Sequence, residues 1–323
     1  MKPVIGIIGL GIMGSAMAEA LVGAGYRVVG YDVHATPRQR FKRVGGRCLP
    51  SCAAVASNAD VLITSLPSVA ALDDVVEKIA PACAAKRKSR PRLITIETST
   101  LPIADKERAM KRLKHVRVTV LDCPISGTAR RLKEGAWTIF VSGSATACKS
   151  VRPIFDVFTR NAPYVGAFGN GSKMKFIANH LVAIYNIAVG ESLTFARKMG
   201  LDPQQVWNLF AASPVVGTGV FKLRGKFMVE RKYLPATMKV EVWQKDMQVI
   251  GDMAKSVDCP TPLFSACVPI YSAAMAQGLG LTIPHRCAKC SMRWRAAIGC
   301  AGCVLHPLQR DLLSVNGCID TRG

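Results

Sequence analysis

The segment VIGIIGLGIMGSAMAEALVGAGYRVVGYD, residues 4–32, predicts five features in a fixed order. Val4–Ile8 is a short apolar strand, a glycine-rich turn follows it, and the next residues form a helix that ends near Gly23 or Gly25. Arg27–Tyr31 is a second strand, and an acidic residue closes it. A strand, a glycine turn, a helix, a strand and an acid in this order indicate the first βαβ unit of a parallel sheet.

The glycine turn has the spacing of a dinucleotide-binding loop. Gly9 permits the tight turn, Gly11 lets the backbone approach a pyrophosphate, and Gly14 lets the helix pack close to the sheet. The positive end of the helix receives the phosphate charge. We therefore expect six cofactor contacts here: Gly9, Leu10, Gly11, Ile12, Met13 and Gly14.

Asp32 lies 18 residues after Gly14, where a carboxylate can bind both hydroxyls of a ribose. This position favours NAD, because a carboxylate repels the 2′-phosphate of NADP. Arg38 and Arg40 follow closely in the sequence and, with the positive overall charge, could offset that repulsion. The expected cofactor is NAD, with NADP as the alternative.

Further apolar strands are predicted at Val61–Ser65, Leu93–Glu97, Val118–Asp122 and Thr138–Ser142, with helical segments between several of them. This alternation predicts an α/β fold with a doubly wound, mostly parallel sheet that helices cover on both faces. Leu66, Pro67 and Thr100 follow strand ends, where the ligands of such sheets bind. We expect them to line the cofactor cleft; ordinary turn and N-cap chemistry is the alternative.

From about Gly169 the pattern becomes helical and remains so. Helices are predicted from Ser172 to Gly200 and at Pro203–Ala212, Phe221–Val229, Met238–Val257 and Pro262–Gln277. We expect a Rossmann domain at residues 1–165, an all-helical domain at residues 166–280 and an atypical tail at residues 281–323.

The long helix carries Lys175, Asn179 and Asn186 on one face of an otherwise apolar segment. A buried lysine costs free energy unless it is paired or its pKa falls. A lysine whose ammonium reaches solvent at a helix end is the ordinary interpretation. The Gly169-Asn170-Gly171 turn before it and the amide one turn later favour a functional site.

Two other segments carry polar groups that could contact a ligand. Asp122–Thr128 follows a strand end, and its amides and hydroxyls can hold an anion. Lys245-Asp246 lies in the middle of a predicted helix. It is either a surface charge pair or a second basic group that enters the cleft.

The formal net charge of the chain is +22. The densest basic run, residues 86–92, does not alternate with aromatics, which are only 7% of the chain, so we expect a solvated loop and no nucleic-acid partner. The positive charge should still favour anionic ligands by long-range steering.

The chain has twelve cysteines, and seven of them are scattered singly up to Cys267, which is typical of thiols in a reducing compartment. The apolar run Pro3–Met17 is interrupted by four glycines, and no other long apolar run exists. We therefore expect a cytoplasmic protein with no membrane partner.

Three ordered motifs resemble the β-hydroxyacid dehydrogenase family, which includes 3-hydroxyisobutyrate dehydrogenases, tartronate semialdehyde reductases and threonate dehydrogenases. The motifs are GIIGLGIMGSAMAEAL, DCPISG and GNGSKMKFIAN, and the resemblance covers roughly Val4 to Gly280. It implies a Rossmann domain, a long interdomain helix and an all-α C-terminal domain, usually as a homodimer or homotetramer.

The resemblance also implies a role for individual residues. Lys175 matches the catalytic lysine, and Asn179 matches an asparagine that holds the substrate. Ser126 and Gly127 match the loop that binds the substrate carboxylate. Further matches are Leu66, Pro67, Thr100 and Lys245 in the cofactor cleft. Thr128 and Trp137 replace a common glycine and leucine, and both are expected to reshape the substrate pocket.

The tail departs from the family pattern. Two Cys-x-x-Cys pairs, Cys287, Cys290, Cys300 and Cys303, have a spacing that could hold zinc. The competing interpretation is unrelated sequence, as a reading-frame change near Gly280 would produce. The sudden rise in cysteine and the loss of helical pattern favour the second interpretation, and no other metal site is expected.

Two functions remain. The first is an NAD(P)-dependent oxidoreductase that moves a hydride between its cofactor and a small β-hydroxy acid or the matching semialdehyde, with Lys175 as general acid/base. The alternative is a non-catalytic dinucleotide-binding protein with a basic partner-binding surface. Lys175 together with Asn179 favours the enzyme, because a pure binder need not keep both. A third hypothesis is an enzyme whose atypical tail prevents folding.

Overall fold

The computed structural model describes residues 2–86, 92–132, 134–233 and 239–281. Its N-terminal part contains a six-stranded, all-parallel sheet with the strand order β3-β2-β1-β4-β5-β6. The strands are β1 Ile5–Ile8, β2 Val28–Tyr31, β3 Arg47–Cys48, β4 Val61–Thr64, β5 Leu93–Glu97 and β6 Val118–Asp122. This is the strand order of the doubly wound Rossmann fold, as predicted.

Helices cover both faces of the sheet because the strands are apolar on both faces. Val61 and Ile63 of β4 belong to one buried cluster, and Leu62 between them belongs to the other. The helices of this part are α1 Ile12–Gly23, α2 Ala35–Arg43, α3 Cys52–Asn58, α4 Val69–Lys86, α5 Ile103–Lys114, α6 Ala129–Leu132 and α7 Ala145–Phe155.

One predicted strand is shorter than expected and lies outside the sheet. Of residues 138–142, only Thr138–Ile139 forms a strand, β8, and it pairs antiparallel with β7, Ile125–Ser126. Ser142 also bridges Asp122 in the antiparallel sense, so the segment runs back along the end of β6 instead of joining the sheet as a parallel strand. Val141 and Ser142 continue only as isolated bridges.

The chain after residue 169 is helical throughout its described part. The helices are α8 Asn170–Lys198, α9 Pro203–Ala212, a π-helical turn Phe221–Gly225 that leads into α10 Lys226–Glu230, α11 Val240–Ser256 and α12 Pro262–Ala276. A buried cluster around Trp243 and Tyr271 joins α8, α11 and α12. None of the helices in the described ranges is long and apolar enough to cross a membrane.

Helix α8 differs from its prediction at its start and on one face. It begins at Asn170 rather than Ser172, after Gly169 with a φ of 93°. A Cβ at Gly171 would lie 2.6 Å from the backbone oxygen of Asp122, so this glycine allows close packing rather than flexibility. Ile177 is 60% exposed although the apolar pattern predicts burial, because described neighbours cover only part of the helix.

Candidate active site

The predicted cofactor loop lies at the carboxyl edge of the sheet, between β1 and α1. Gly9 has a φ of 90°, and a Cβ there would collide with the backbone oxygen of Ser65. A Cβ at Gly14 would collide with the backbone oxygen of Gly9. A Cβ at Gly11 would meet nothing within 4 Å. Packing therefore explains two of the glycines, and the third leaves open space beside the loop.

The first turn of α1 suits a pyrophosphate. Gly11 is the N-cap of this helix, no side chain caps it, and its first turn contains no acidic residue. The first backbone N–H groups of a helix lack intrahelical acceptors and carry a partial positive charge. The open space at Gly11 and these free donors fit the phosphates of a dinucleotide. Ile12, half exposed, and Met13 follow in the same turn.

Asp32 follows β2 and supports the glycine loop directly. Its Oδ2 accepts a hydrogen bond from the Leu10 backbone N–H at 2.7 Å, and its Oδ1 accepts one from the His34 backbone N–H at 2.8 Å. Arg38 donates from Nη1 to the backbone oxygen of Asp32 at 2.7 Å. A guanidinium therefore lies beside the acid that was expected to exclude NADP.

The loops after β4 and β5 are joined to each other and to α11. The Leu66 backbone N–H donates to Ser99 Oγ at 2.8 Å. Lys245 Nζ donates to the backbone oxygen of Thr100. The side chain of Lys245 is about one quarter exposed, so the pair Lys245-Asp246 is not a surface pair but a link between α11 and this loop. Pro67 lies in the same β4 loop, next to Leu66.

Lys175 and Asn179 lie one turn apart on the buried side of α8. Asn179 donates from Nδ2 to Asp246 Oδ2 at 3.0 Å, and Lys245 Nζ lies 2.7 Å from Asp246 Oδ1. Lys175 is only 6% exposed, and its ammonium makes no hydrogen bond or ion pair with any residue in the described ranges. Asn186 is on the same face but eleven residues later, about 16 Å along the helix.

The surroundings of Lys175 favour its neutral form. Burial lowers its pKa from 10.5 to about 8. The carboxylate of Asp246 opposes this shift, and the ammonium of Lys245 reinforces it. A lysine with this pKa has a substantial neutral fraction near neutral pH, so it can accept a proton as well as donate one.

The predicted substrate loop follows β6, and its strand β7 packs against α8. Gly127 has a φ of 145°, and a Cβ there would lie 2.5 Å from the ring of Trp137. Trp137 is 1% exposed and donates from Nε1 to the backbone oxygen of Thr128 at 2.8 Å. The tryptophan therefore packs against the loop from its buried side, and it can influence the shape of a pocket there only through the loop. Ser126 is half-buried and Thr128 is buried.

A buried charged cluster beside these loops has no counterpart in the sequence prediction. Lys106 Nζ contacts Glu97 Oε2 at 2.6 Å and Asp122 Oδ1 at 2.8 Å, and it donates to Ser172 Oγ at 3.1 Å. Burial lowers the pKa of Lys106, but the two carboxylates outweigh it and the net shift is upward. No local pattern marks Lys106, because helix α5 is basic in general.

Metal binding has no support in the described part of the chain. There, no group of three or more His, Cys, Asp or Glu side chains is arranged to hold a metal ion. The four cysteines of the predicted zinc ribbon, Cys287, Cys290, Cys300 and Cys303, lie outside the described residues. So does most of the basic run at residues 86–92.

Two family models match the chain in succession. Residues 4–166 match the NAD binding domain of 6-phosphogluconate dehydrogenase. Residues 169–282 match the model described as NAD-binding of NADP-dependent 3-hydroxyisobutyrate dehydrogenase. The chain belongs to the β-hydroxyacid dehydrogenase family. It is therefore an NAD(P)-dependent oxidoreductase.

Individual relatives agree with this assignment. The dehydrogenase is 29% identical to L-threonate dehydrogenase of Cupriavidus necator, over 85% of this chain and 92% of the relative. It is also 29% identical to mitochondrial 3-hydroxyisobutyrate dehydrogenase of Mus musculus, over 86% and 83%. Its fold resembles the crystal structure of 3-hydroxyisobutyrate dehydrogenase from Salmonella typhimurium with a TM-score of 0.78 and 24% identity, covering 89% and 99% of the two chains.

Proposed function

We propose that this dehydrogenase interconverts a small β-hydroxy acid and the matching semialdehyde, and that Lys175 is its general acid/base. The observation that carries this proposal is a lysine 6% exposed, without an ion pair among the described residues, one turn before Asn179. A structural lysine would be expected to have a counter-ion, as Lys106 does.

The protein's part in oxidation is to remove the hydroxyl proton. Neutral Lys175 accepts it at Nζ, and in reduction the ammonium returns it to the carbonyl oxygen. With a pKa of about 8, roughly a tenth of the lysine is neutral at pH 7, against less than about 0.1% at the ordinary lysine pKa. When bound, the nicotinamide ring accepts or delivers the hydride. Asn179, which Asp246 orients, would hold the substrate beside Lys175.

The substrate's carboxylate would bind the loop that contains Ser126, Gly127 and Thr128. Gly127 has a backbone conformation that other residues adopt only with strain, so its N–H direction is built into the loop. Trp137 fixes this loop from below, which fits a preformed receptor for an anion. Backbone donors and a hydroxyl suit a carboxylate and give a neutral alcohol little.

The proposed substrate belongs to the same chemical class as the compounds in the relatives' names. Their names include threonate and 3-hydroxyisobutyrate, both small hydroxy acids. We therefore propose a hydroxy acid of about three to five carbons for this chain. A supporting feature is the pair of cationic side chains at the site, Lys175 and Lys245. No nucleic acid is part of this proposal.

Helix α8 also supports an oligomer. Ile177, Leu181, Phe195 and Met199 are 60%, 42%, 63% and 55% exposed. At 100° per residue they fall within about 40° of one another, opposite Lys175. An exposed apolar stripe of this length is typical of an interface, and we propose a homodimer or homotetramer. The scattered free thiols favour the cytoplasm.

The deciding experiment is turnover on a panel of β-hydroxy acids, with Lys175→Ala as the variant. NADH fluorescence on mixing should be similar for both proteins, because Lys175 lies on α8 and not in the glycine loop. Turnover should fall by about 10² to 10⁴ in the variant. NADH binding without turnover on any acid in the unaltered protein would instead favour the non-catalytic alternative.

A further inference from the structure

The ammonium of Lys106 touches both halves of the proposed site. It lies on α5, is 1% exposed, and contacts three polar side chains. Two of its partners are Glu97 and Asp122, which are adjacent residues on paired strands at the carboxyl edge of the sheet. The third is Ser172, in the first turn of α8.

The hydrogen bonds of Glu97 connect Lys106 to the loops that are expected to contact the cofactor. Glu97 Oε1 accepts a hydrogen bond from the Ser99 backbone N–H at 2.9 Å. Ser99 Oγ in turn accepts from the Leu66 backbone N–H at 2.8 Å. Lys106 holds the Glu97 carboxylate, and this carboxylate positions the loop after β5. It also positions the loop after β4, because Ser99 hydrogen-bonds the two loops to each other.

The hydrogen bonds of Asp122 connect Lys106 to the start of the helix that carries the proposed catalytic lysine. Asp122 Oδ2 accepts from the Ser172 backbone N–H at 2.8 Å, and Asp122 Oδ1 accepts from Ser172 Oγ at 2.9 Å. This N–H has no intrahelical acceptor, so the carboxylate caps α8. Lys175 is three residues further along, and its distance from the sheet is therefore set by Asp122 and Lys106.

The charges explain why the single ammonium of Lys106 can hold the sheet edge and the start of α8 together. Two carboxylates and one ammonium leave a net charge of −1, and the positive end of α8 offsets about half of it. Without Lys106 the two carboxylates would repel each other inside the protein. The network is thus arranged around a single cation between two elements that carry different parts of the site.

We propose that Lys106 is a positioning residue that couples the cofactor loops at Leu66 and Ser99 to the first turn of α8, and thereby sets the distance between cofactor and Lys175. This rests on the function proposed above. Lys106 contacts neither substrate nor cofactor in this role. A merely structural ion pair would affect stability alone, whereas a positioning residue affects the rate of the folded enzyme and transmits cofactor binding to α8.

The test variant is the double substitution Glu97→Gln with Lys106→Met in the full chain. It keeps the net charge of the network at −1, and glutamine still accepts from the Ser99 N–H. Only the contacts that Lys106 makes between the two strands and α8 are lost. The matched control is Asp74→Asn with Lys78→Met, which removes an exposed ion pair of 2.6 Å on α4. Should the test variant fail to fold, Ser172→Ala removes one link and keeps both ion pairs.

We expect the test variant to lose about 10- to 100-fold in kcat with little change in NADH affinity, because a misplacement of about 1 Å can cost that much. The control should stay within about twofold. Amide hydrogen exchange gives a second readout. NADH should slow exchange at Leu66 and Ser172 in the unaltered protein, but only at Leu66 in the variant.

A kcat within twofold of the unaltered protein would overturn the proposal, and so would NADH protection of Ser172 that persists in the variant. Absence of NADH protection at Ser172 in the unaltered protein would overturn it as well. If the unaltered protein has no turnover, the proposed function fails, and the exchange measurement alone still decides the coupling.

Discussion

Replacing Lys175 by methionine should make the protein more stable while it removes activity. Burial lowers the pKa of this lysine from 10.5 to about 8. A shift of this size corresponds to about 3 kcal/mol by which folding opposes the charged form. Methionine has a similar length, carries no charge and suits an apolar site. At pH 7 we expect the free energy of unfolding to rise by up to about 3 kcal/mol.

The stability difference between Lys175→Met and the unaltered protein depends on pH. Well below pH 8 the lysine is almost fully protonated in both the folded and unfolded chains, so nearly the full penalty acts on the unaltered protein. Between pH 8 and 10.5 the unfolded chain binds more protons, so the stability of the unaltered protein rises with pH. The advantage of Lys175→Met should therefore shrink through this window and vanish above it.

Urea unfolding at pH 7, 9 and 10.5 measures this advantage, with kcat followed in parallel. Lys173→Met is the matched control, because Lys173 is exposed on the same helix and should change stability by less than about 0.5 kcal/mol. The kcat of Lys175→Met should fall by about 10² to 10⁴. A variant less stable than the unaltered protein at pH 7 would mean that the ammonium is paired, and the desolvation argument would be refuted.

Three further outcomes are expected. The kcat for oxidation should rise with pH up to the Lys175 pKa of about 8 and then level off, while kcat for reduction falls above it; a flat profile would contradict the acid/base role. Arg38→Met should raise KM for NADP(H) more than KM for NAD(H), because its guanidinium lies beside Asp32, and the exposed Arg40→Met serves as control; equal changes would show that Arg38 does not meet a 2′-phosphate. The methyl ester of a good substrate should lose about ten-fold or more in kcat/KM, because the donors around Ser126 would remain unpaired; equal kcat/KM values would remove this loop from substrate binding.

Much of the architecture could be predicted from local patterns. The strands Leu93–Glu97 and Val118–Asp122 and the helix Pro203–Ala212 have the bounds that the sequence predicts. These segments are continuous apolar runs or capped amphipathic turns, so neighbouring residues contain the information. Thr138–Ser142 has the same local pattern, but only Thr138–Ile139 forms a strand and it pairs with β7, because a strand's partner depends on tertiary context that its own residues do not contain.

The glycine loop, Asp32 and the face with Lys175 and Asn179 could likewise be predicted from spacing. Spacing along one helix or one turn determines which side chains share a face, and it does so before any tertiary contact forms. The sequence by itself thus determined the fold class, the family and the residues proposed for the site.

Only the tertiary structure decided how those residues interact. The hydrogen bond from Lys106 to Ser172 joins residues 66 positions apart, and Asn179 meets Asp246 across 67 positions. The lowered pKa of Lys175 arises from burial by segments distant in sequence, and Trp137 donates a hydrogen bond to the backbone of Thr128 from the buried side of its loop. Solvation and electrostatic interaction depend on distance in space, and a one-dimensional pattern contains that distance only within an element of secondary structure.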